Sequence, residues 1–300
     1  MRELVLLLII MVVFISGCTG STPIKFSNDA ITIEQYVASP TKQYADSPIT
    51  ISFDVMNNVD DVVNDIEINF FDLPGFKILE LNCGIGEKKS DNICFFSSIE
   101  PLDFRTVSIT LKAPSEELIK APTQFTTSFF VGYRYSGHRE ANIPIIDQIT
   151  LKAPTFKYVA SSPSYGSIRV DFDPPIGRET KKGKQVIKEY WGVKGSTFNM
   201  KMTFKDVGSS SIGTALPMNL SANDVSIKLT GIHVASDLPC SFEGSETLTP
   251  MEDIMLGREL SCNFVSDDFE DPEKFATMAV NFDYNYKYLR TETLTIYPME

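Results

Sequence analysis

Helical periodicity is nearly absent from these 300 residues. Apolar side chains recur at every second position rather than every third or fourth, which argues against a helical bundle or an α/β fold. Catalytic signatures are missing too: there is no Gly-x-Ser-x-Gly elbow, phosphate-binding loop, dinucleotide fingerprint or His-Glu-x-x-His. Histidine is scarce, with only His138 and His233, and a serine or cysteine nucleophile normally borrows a histidine as its base. The same scarcity, together with the lack of Cys-x-x-Cys, argues against zinc. No cofactor is expected, and the chain reads as a non-enzyme, although paired carboxylates for glycoside hydrolysis stay open because acidic residues are plentiful. Basic residues are outnumbered, 27 against 39 acidic, for a formal charge of −12. Such a surface is repelled by phosphate backbones, so nucleic acid is not an expected partner.

What is present begins with Leu4 to Ile15, a run without a polar or charged side chain. It is short for a spanning helix, which needs about 20 residues, and fits the core of a signal peptide. Ser16-Gly17-Cys18 follows directly. The stretch resembles the lipobox of prokaryotic lipoproteins. That resemblance implies residues 1–17 as a removed leader, a lipid on the Cys18 thiol, residues 18–24 as a tether, and a place on the outer face of the cell membrane. One acyl chain holds weakly and two hold well, and the acidic body adds no attraction to anionic lipid. The four other cysteines fall two per half: Cys83 with Cys94, and Cys240 with Cys262. An even remainder in an exported chain reads as two structural disulfides.

Strand patterns fill the rest. Ile49, Ile51, Phe53 and Val55 alternate with polar neighbours, as do Ile66, Ile68 and Phe70, then Val107, Ile109 and Leu111, then Phe129, Val131, Tyr133 and Tyr135. The second half repeats the first. Phe198, Met200, Met202 and Phe204 follow the Ile49 strand at an offset of 149, and Tyr133, Tyr135, Arg139 and Ile145 match Tyr284, Tyr286, Arg290 and Ile296 at an offset of 151. Val225, Ile227 and Leu229 echo Ile66, Ile68 and Phe70, and Cys94-Phe95-Phe96 matches Cys240-Ser241-Phe242. Order, spacing and residue type agreeing together indicate a tandem duplication. Residues 25–152 and 166–300 are the two copies, joined by a linker at 153–165 where Ala-Pro and Ser-Ser-Pro-Ser break the pattern. An irregular loop, Pro174 to Gly195, carries the only tryptophan, Trp191.

Short strands without intervening helices make the fold all-β: two tandem immunoglobulin-like antiparallel β-sandwiches after an N-terminal signal or anchor segment. The strand and turn Ser52 to Asn58, and terminal hairpins expected over Phe129 to Ile145 and Val280 to Ile296, resemble immunoglobulin-like modules of prokaryotic surface proteins, notably the CARDB-like and archaeal S-layer-associated repeats. That implies a structural, adhesion or assembly module of the envelope, partnered by other envelope proteins or surface glycans.

Candidate sites are each weighed against a bland reading. Tyr133, Tyr135, Tyr284 and Tyr286 can stack on sugars but have core spacing, whereas Tyr288 is expected at a hairpin turn, as is His138. Arg139 and Arg290 can bind a carboxylate or sugar acid, or form a repeated salt bridge to an acidic neighbour on an adjacent strand, such as Glu140 or Glu292 across the sheet. Acidic clusters at Asp60, Asp61 and Asp65, and at Asp267, Asp268, Glu270, Asp271 and Glu273, can supply oxygen ligands to Ca²⁺, or be solvated loops. Asp171 and Asp173 are expected to face solvent. The basic run Arg178 to Lys188 can touch phospholipid heads or an anionic wall polymer, or be a mobile loop. Asn219-Leu220-Ser221 is a glycosylation sequon. The alternative function is a carbohydrate- or Ca²⁺-binding surface module.

Overall fold

The computed structural model describes residues 28–208, 213–216, 219–236, 238–245 and 247–299. Cys18, the apolar leader and the tether lie outside the described residues. The first half runs β1 (Ile31–Ser39), β2 (Gln43–Tyr44), β3 (Pro48–Asn57), β4 (Val63–Asp72), β5 (Lys77–Asn82), β6 (Glu87–Ser90), β7 (Ile93–Ile99), β8 (Phe104–Lys112) and β9 (Thr123–Ile146). The second half runs β10 (Val159–Ala160), β11 (Ile168–Asp173), β12 (Ile176–Lys182), β13 (Gln185–Tyr190), β14 (Gly192–Val193), β15 (Phe198–Asp206), β16 (Thr214–Ala215), β17 (Val225–Thr230), β18 (Ile232–Val234), β19 (Phe242–Gly244), β20 (Thr247–Pro250), β21 (Glu259–Ser266) and β22 (Glu273–Tyr297). Among the described residues the only helical element is a 3-10 turn at Ala222–Asp224.

The chain is all-β, and its sheets face one another as two immunoglobulin-like sandwiches. A four-stranded sheet β1-β3-β8-β5 covers one side of the first half, and β11-β15-β21-β18 does so in the second. Both lie against one continuous twelve-stranded sheet whose spine runs β19-β20-β17-β22-β9-β4-β7-β6. Alternation explains each layer. In β3 the residues Ile49, Ile51, Phe53 and Val55 are buried while their neighbours are half-exposed, and Phe53 stacks on Phe129 across the gap at 5.1 Å. In the second half Phe204 meets Phe282 edge-on at 5.4 Å. Burying one such ring contributes roughly 2–3 kcal/mol.

The expected terminal hairpins do not form. Each is half of one uninterrupted strand, and all 24 residues of β9 pair antiparallel with β22, from Thr123 opposite Ile296 to Ile146 opposite Glu273. This ribbon is about 80 Å long. Its centre is the Arg134–Asn285 pair, flanked by Tyr133 opposite Tyr286 and Tyr135 opposite Tyr284. Because β22 repeats β9 at an offset of 151, a pseudo-two-fold axis passes through that central pair and exchanges the two tyrosine couples. Ser128 to Arg134 of β9 lie beside β4 in the first sandwich, and the continuation of β9 lies beside β10 and β14 of the second. Reciprocally, β22 lies beside β17 of the second sandwich over Thr277 to Phe282, then closes the first. Each sandwich therefore takes its closing strand from the other copy.

Short parallel arms follow the same symmetry. Gln43-Tyr44 pairs with Ile296-Tyr297, and Gly192-Val193 with Ile145-Ile146. The register corrects one correspondence: Ile68 sits beside Val131 as Val225 sits beside Phe282, so Val225 answers Ile68 rather than Ile66. The segment Pro174 to Gly195 is likewise no irregular loop. Residues of β12 and β13 pair as a hairpin that forms a separate two-stranded sheet.

Candidate functional site

Beside the C-terminal end of β9 lies a cleft of about 420 Å³, lined chiefly by Phe156, Tyr158, Arg178, Lys188, Tyr190 and Trp191. Its first wall is the connection between the two copies. The Glu273 carboxylate accepts from the Thr155 amide at 2.8 Å and the Phe156 amide at 3.3 Å, and from the Thr155 hydroxyl. Phe156 stacks on Phe275 at 4.8 Å. Val159 and Ala160 then pair with Asn142 and Ala141 of β9, fastening this wall to the ribbon.

The second wall is the β12–β13 hairpin. Lys182 pairs with Gln185, which leaves Gly183-Lys184 as a two-residue turn. Gly183 has φ +67° and Lys184 does not have a positive φ, the pattern of a type II′ turn, for which glycine leads at the first position. At the base, a Cβ on Gly177 would sit 2.1 Å from the Trp191 ring, so the indole rests flat against bare backbone. Trp191 is only 6% exposed. The Arg178 guanidinium lies 5.8 Å from the indole centroid and 3.8 Å from the Glu189 carboxylate. Tyr190 meets Tyr158 edge-on at 5.8 Å.

The site is basic within an acidic protein. From Arg178 to Glu189 five cations face two carboxylates, Glu179 and Glu189. The Tyr158 hydroxyl is shielded from solvent and makes no hydrogen bond among the described residues. Burial raises its pKa, Arg139 opposes that rise, and Tyr190 and Asp173 add to it. An unpaired shielded hydroxyl costs about 1–3 kcal/mol relative to a paired one, and with no accessible surface on that oxygen it is the ring of Tyr158 that lines the cleft. The arrangement can hold a flat, partly anionic molecule.

Other candidates fall elsewhere. Tyr133, Tyr135, Tyr284 and Tyr286 are buried in the ribbon. Tyr133 bonds the Ser167 hydroxyl at 2.7 Å, Ser167 donates its amide to the Tyr284 hydroxyl at 3.0 Å, and Tyr286 donates to Asp206. Tyr288 is not at a turn: it is fully buried in β22 and donates to the Ile31 carbonyl at 3.4 Å. His138 also stands within β9, opposite Asn281, with its Nδ1 2.7 Å from the Asn281 Oδ1. Arg139 does not pair with Glu140. It bonds the Val170 carbonyl and reaches Asp171 at 3.0 Å. Arg290 takes Glu292, two residues along its own strand. Asp171 does not face solvent freely, since Arg139, Arg169 and Lys205 all converge on it. Burial pushes its carboxyl up, but the hydrogen bonds from Lys205, Arg169 and Arg139 outweigh this and hold it below the usual carboxylate value. Alternating strand positions missed this hub because the cations come from β9 and β15 as well as β11.

The acidic loop does not converge. Asp267 bonds His233 and Asp268 bonds Lys194, each at 2.8 Å, while Glu273 holds the cleft wall. Among the described residues no three histidine, cysteine or acidic side chains gather as a metal site, Glu270, Asp271, Asp60, Asp61 and Asp65 included. Asn219 is exposed.

Cys83 is bonded to Cys94 and Cys240 to Cys262. The two bonds are not equivalent. Cys94 stands on β7 of the large sheet and Cys83 just beyond β5 of the small one, so that bond joins two layers. Cys240 forms a bridge beside Cys262 on β21, so that bond links neighbouring segments. Cys94 and Cys240 therefore do not correspond.

No protein-family model and no curated protein sequence matches the chain. Among solved structures, the Enterococcus faecalis MSCRAMM ACE, which binds its ligands by the collagen hug model, is 9% identical, with 89% of this chain and 95% of that chain covered and a TM-score of 0.20. Trypsin-activated α2-macroglobulin from Escherichia coli is also 9% identical, with 93% of this chain and 18% of that chain covered and a TM-score of 0.15. Likenesses this distant carry no argument about function.

Proposed function

We propose that the protein is a non-catalytic module of the cell envelope, held to the outer face of the membrane by a lipid on Cys18 and serving structure, adhesion or assembly. The observation that carries this reading is the reciprocal exchange of closing strands along β9 and β22. Two sandwiches joined by a short linker would swivel, whereas two that share a 24-residue ribbon move as one stiff body. Stiffness suits a part that must project a surface or transmit a pull. Both disulfides support an oxidising location outside the cytosol, and the chain order of an apolar leader, Ser-Gly-Cys and a polar tether supports the anchor.

Mass spectrometry of the N-terminal peptide from the membrane fraction tests the proposal. The expected result is a peptide that begins at Cys18 and carries acyl mass. A mature chain found free in solution with an unmodified Cys18 overturns it.

A further inference from the structure

We infer that the cleft between the copy-to-copy connection and the β12–β13 hairpin is a binding site for a carboxylated saccharide, a uronate-bearing glycan rather than a neutral one. Several independent features converge on that class. Tyr158 and Tyr190 bring half-exposed rings to one concavity that the nearly buried Trp191 also lines, the surface that the apolar C–H face of a sugar requires. A volume of about 420 Å³ falls in the range of small-ligand sites. Arg178 and Lys188 stand at the rim, and a planar guanidinium matches a carboxylate with two parallel hydrogen bonds.

Arg178 already displays that preference. It rests 3.8 Å from Glu189, an exposed and loose contact that a ligand carboxylate can replace. Glu189 would then be released to accept from sugar hydroxyls, which need acceptors as well as donors. Lys181, Lys182 and Lys184 extend the positive strip to the tip of the hairpin, where further acidic residues of a polymer would run.

A flat anionic bilayer fits less well. The hairpin is basic, but the whole chain carries −12, and a membrane would face that charge over a broad area, whereas a slender glycan meets only the cleft. A phosphate polymer lacks the ring faces that the aromatic walls fit. The site stands apart from the lipid reading, because it needs neither Cys18 nor its modification.

Trp191 is the only tryptophan and lies in the wall, so its fluorescence reports the cleft directly. The full chain in neutral phosphatidylcholine nanodiscs is titrated with tetragalacturonate, maltotetraose, inorganic phosphate and phosphatidylglycerol vesicles. Calorimetry on the same solutions gives affinities. Saturable change with tetragalacturonate alone is expected, weakening as salt rises. Arg178→Gln should lower affinity on the order of tenfold, the scale of one lost charge-assisted hydrogen bond. Lys188→Gln should lower it less, and it keeps the test open if Arg178→Gln disturbs the Trp191 emission of the free protein. No response to tetragalacturonate, an equal response to maltotetraose or phosphate, or a response to vesicles alone overturns the inference. A negative titration leaves the membrane anchor standing, and an unmodified Cys18 leaves a positive titration standing.

Discussion

The two copies follow the same course until the chain leaves its first strand, and there they part. In the first, Pro40 to Ser47 carry the chain from β1 to β3 with only the two-residue arm Gln43-Tyr44 between. In the second, the matching gap between β11 and β15 holds the whole β12–β13 hairpin and Trp191 before the matching arm Gly192-Val193. Both arms reach the same place, parallel to the far end of the partner copy's long strand. The scaffold is thus complete without the hairpin, and what the second copy adds is a surface. Longer loops raise the entropy cost of closure only slowly, so such an addition is tolerated at an edge that already has its fastening. Shared residues hold the molecule together, and the unshared ones form its cleft.

The sharpest way to break this comparison is to separate the copies. Residues 28–152 alone lack the closing segment of β22, and residues 153–299 alone lack the far half of β9. Neither piece is expected to unfold cooperatively by itself, and mixing the two should restore one transition. Independent folding of either piece would mean that the exchanged strands are decoration. In the intact chain both copies should melt together in denaturant, seen as coincident curves for Trp191 fluorescence and far-ultraviolet dichroism.

Next in size is Tyr288→Ala. The ring is fully buried and belongs to the second copy's strand, yet its hydroxyl reaches Ile31 of the first. Truncating a buried aromatic costs about 3–5 kcal/mol, and the loss should appear in the single shared transition. A tyrosine at an exposed hairpin turn would cost about 0.5 kcal/mol or less, so denaturant melts decide between the two placements.

Tyr288 also shows how much of the fold is legible in the chain. The alternation of β3 and β15, the duplication and the all-β class follow from period two and from fixed offsets. The long ribbon does not, because Gly137 and His138 look like turn residues beside a strand. The signal against a turn was nonetheless there. Phe129, Val131, Tyr133, Tyr135, Gly137, Ala141, Ile143 and Ile145 keep one phase throughout, and every one is buried. A turn would have interrupted that phase. Cross-strand pairing between copies is invisible for another reason: periodicity says which face of a strand is buried, and nothing about which neighbour lies beside it. The cleft escaped for a similar cause. The Arg178 to Lys188 run is charged on both faces, so it reads as loop, while Phe156 and Tyr158 come to the cleft from the connection between the copies and Tyr190 and Trp191 from beyond the run.

A smaller effect tests the asymmetry between Arg139 and its counterpart Arg290. Arg139 shares Asp171 with Arg169 and Lys205, whereas Arg290 uses a carboxylate on its own strand. Asp171 titrates lower in the folded state than unfolded, so the unfolded chain binds more protons as pH falls. Its stabilising effect is present above the unfolded value of about 3.9 and fades as pH drops through the folded value. Asp171→Asn should therefore be less stable than the parent by an amount that stays level from about pH 5 to 8 and shrinks below about pH 4. A gap that persists unchanged into strong acid would show that the three cations are held by something other than the Asp171 charge.

The smallest effect on stability belongs to the hairpin tip, and it sharpens the comparison most. Lys181, Lys182 and Lys184 are exposed, and nothing lies within 4 Å of where a Cβ on Gly183 would stand. Replacing the three lysines with glutamine should change unfolding free energy by no more than about 0.5 kcal/mol, the usual range for surface sites remote from packing or capping roles. The same triple variant should make tetragalacturonate binding less sensitive to salt, since fewer cations then meet the acidic chain. Stability unmoved with salt dependence flattened is the pattern of an added surface. A triple variant that melts early would instead make the hairpin part of the scaffold, and the second copy would then differ from the first in how it folds and not only in what it presents.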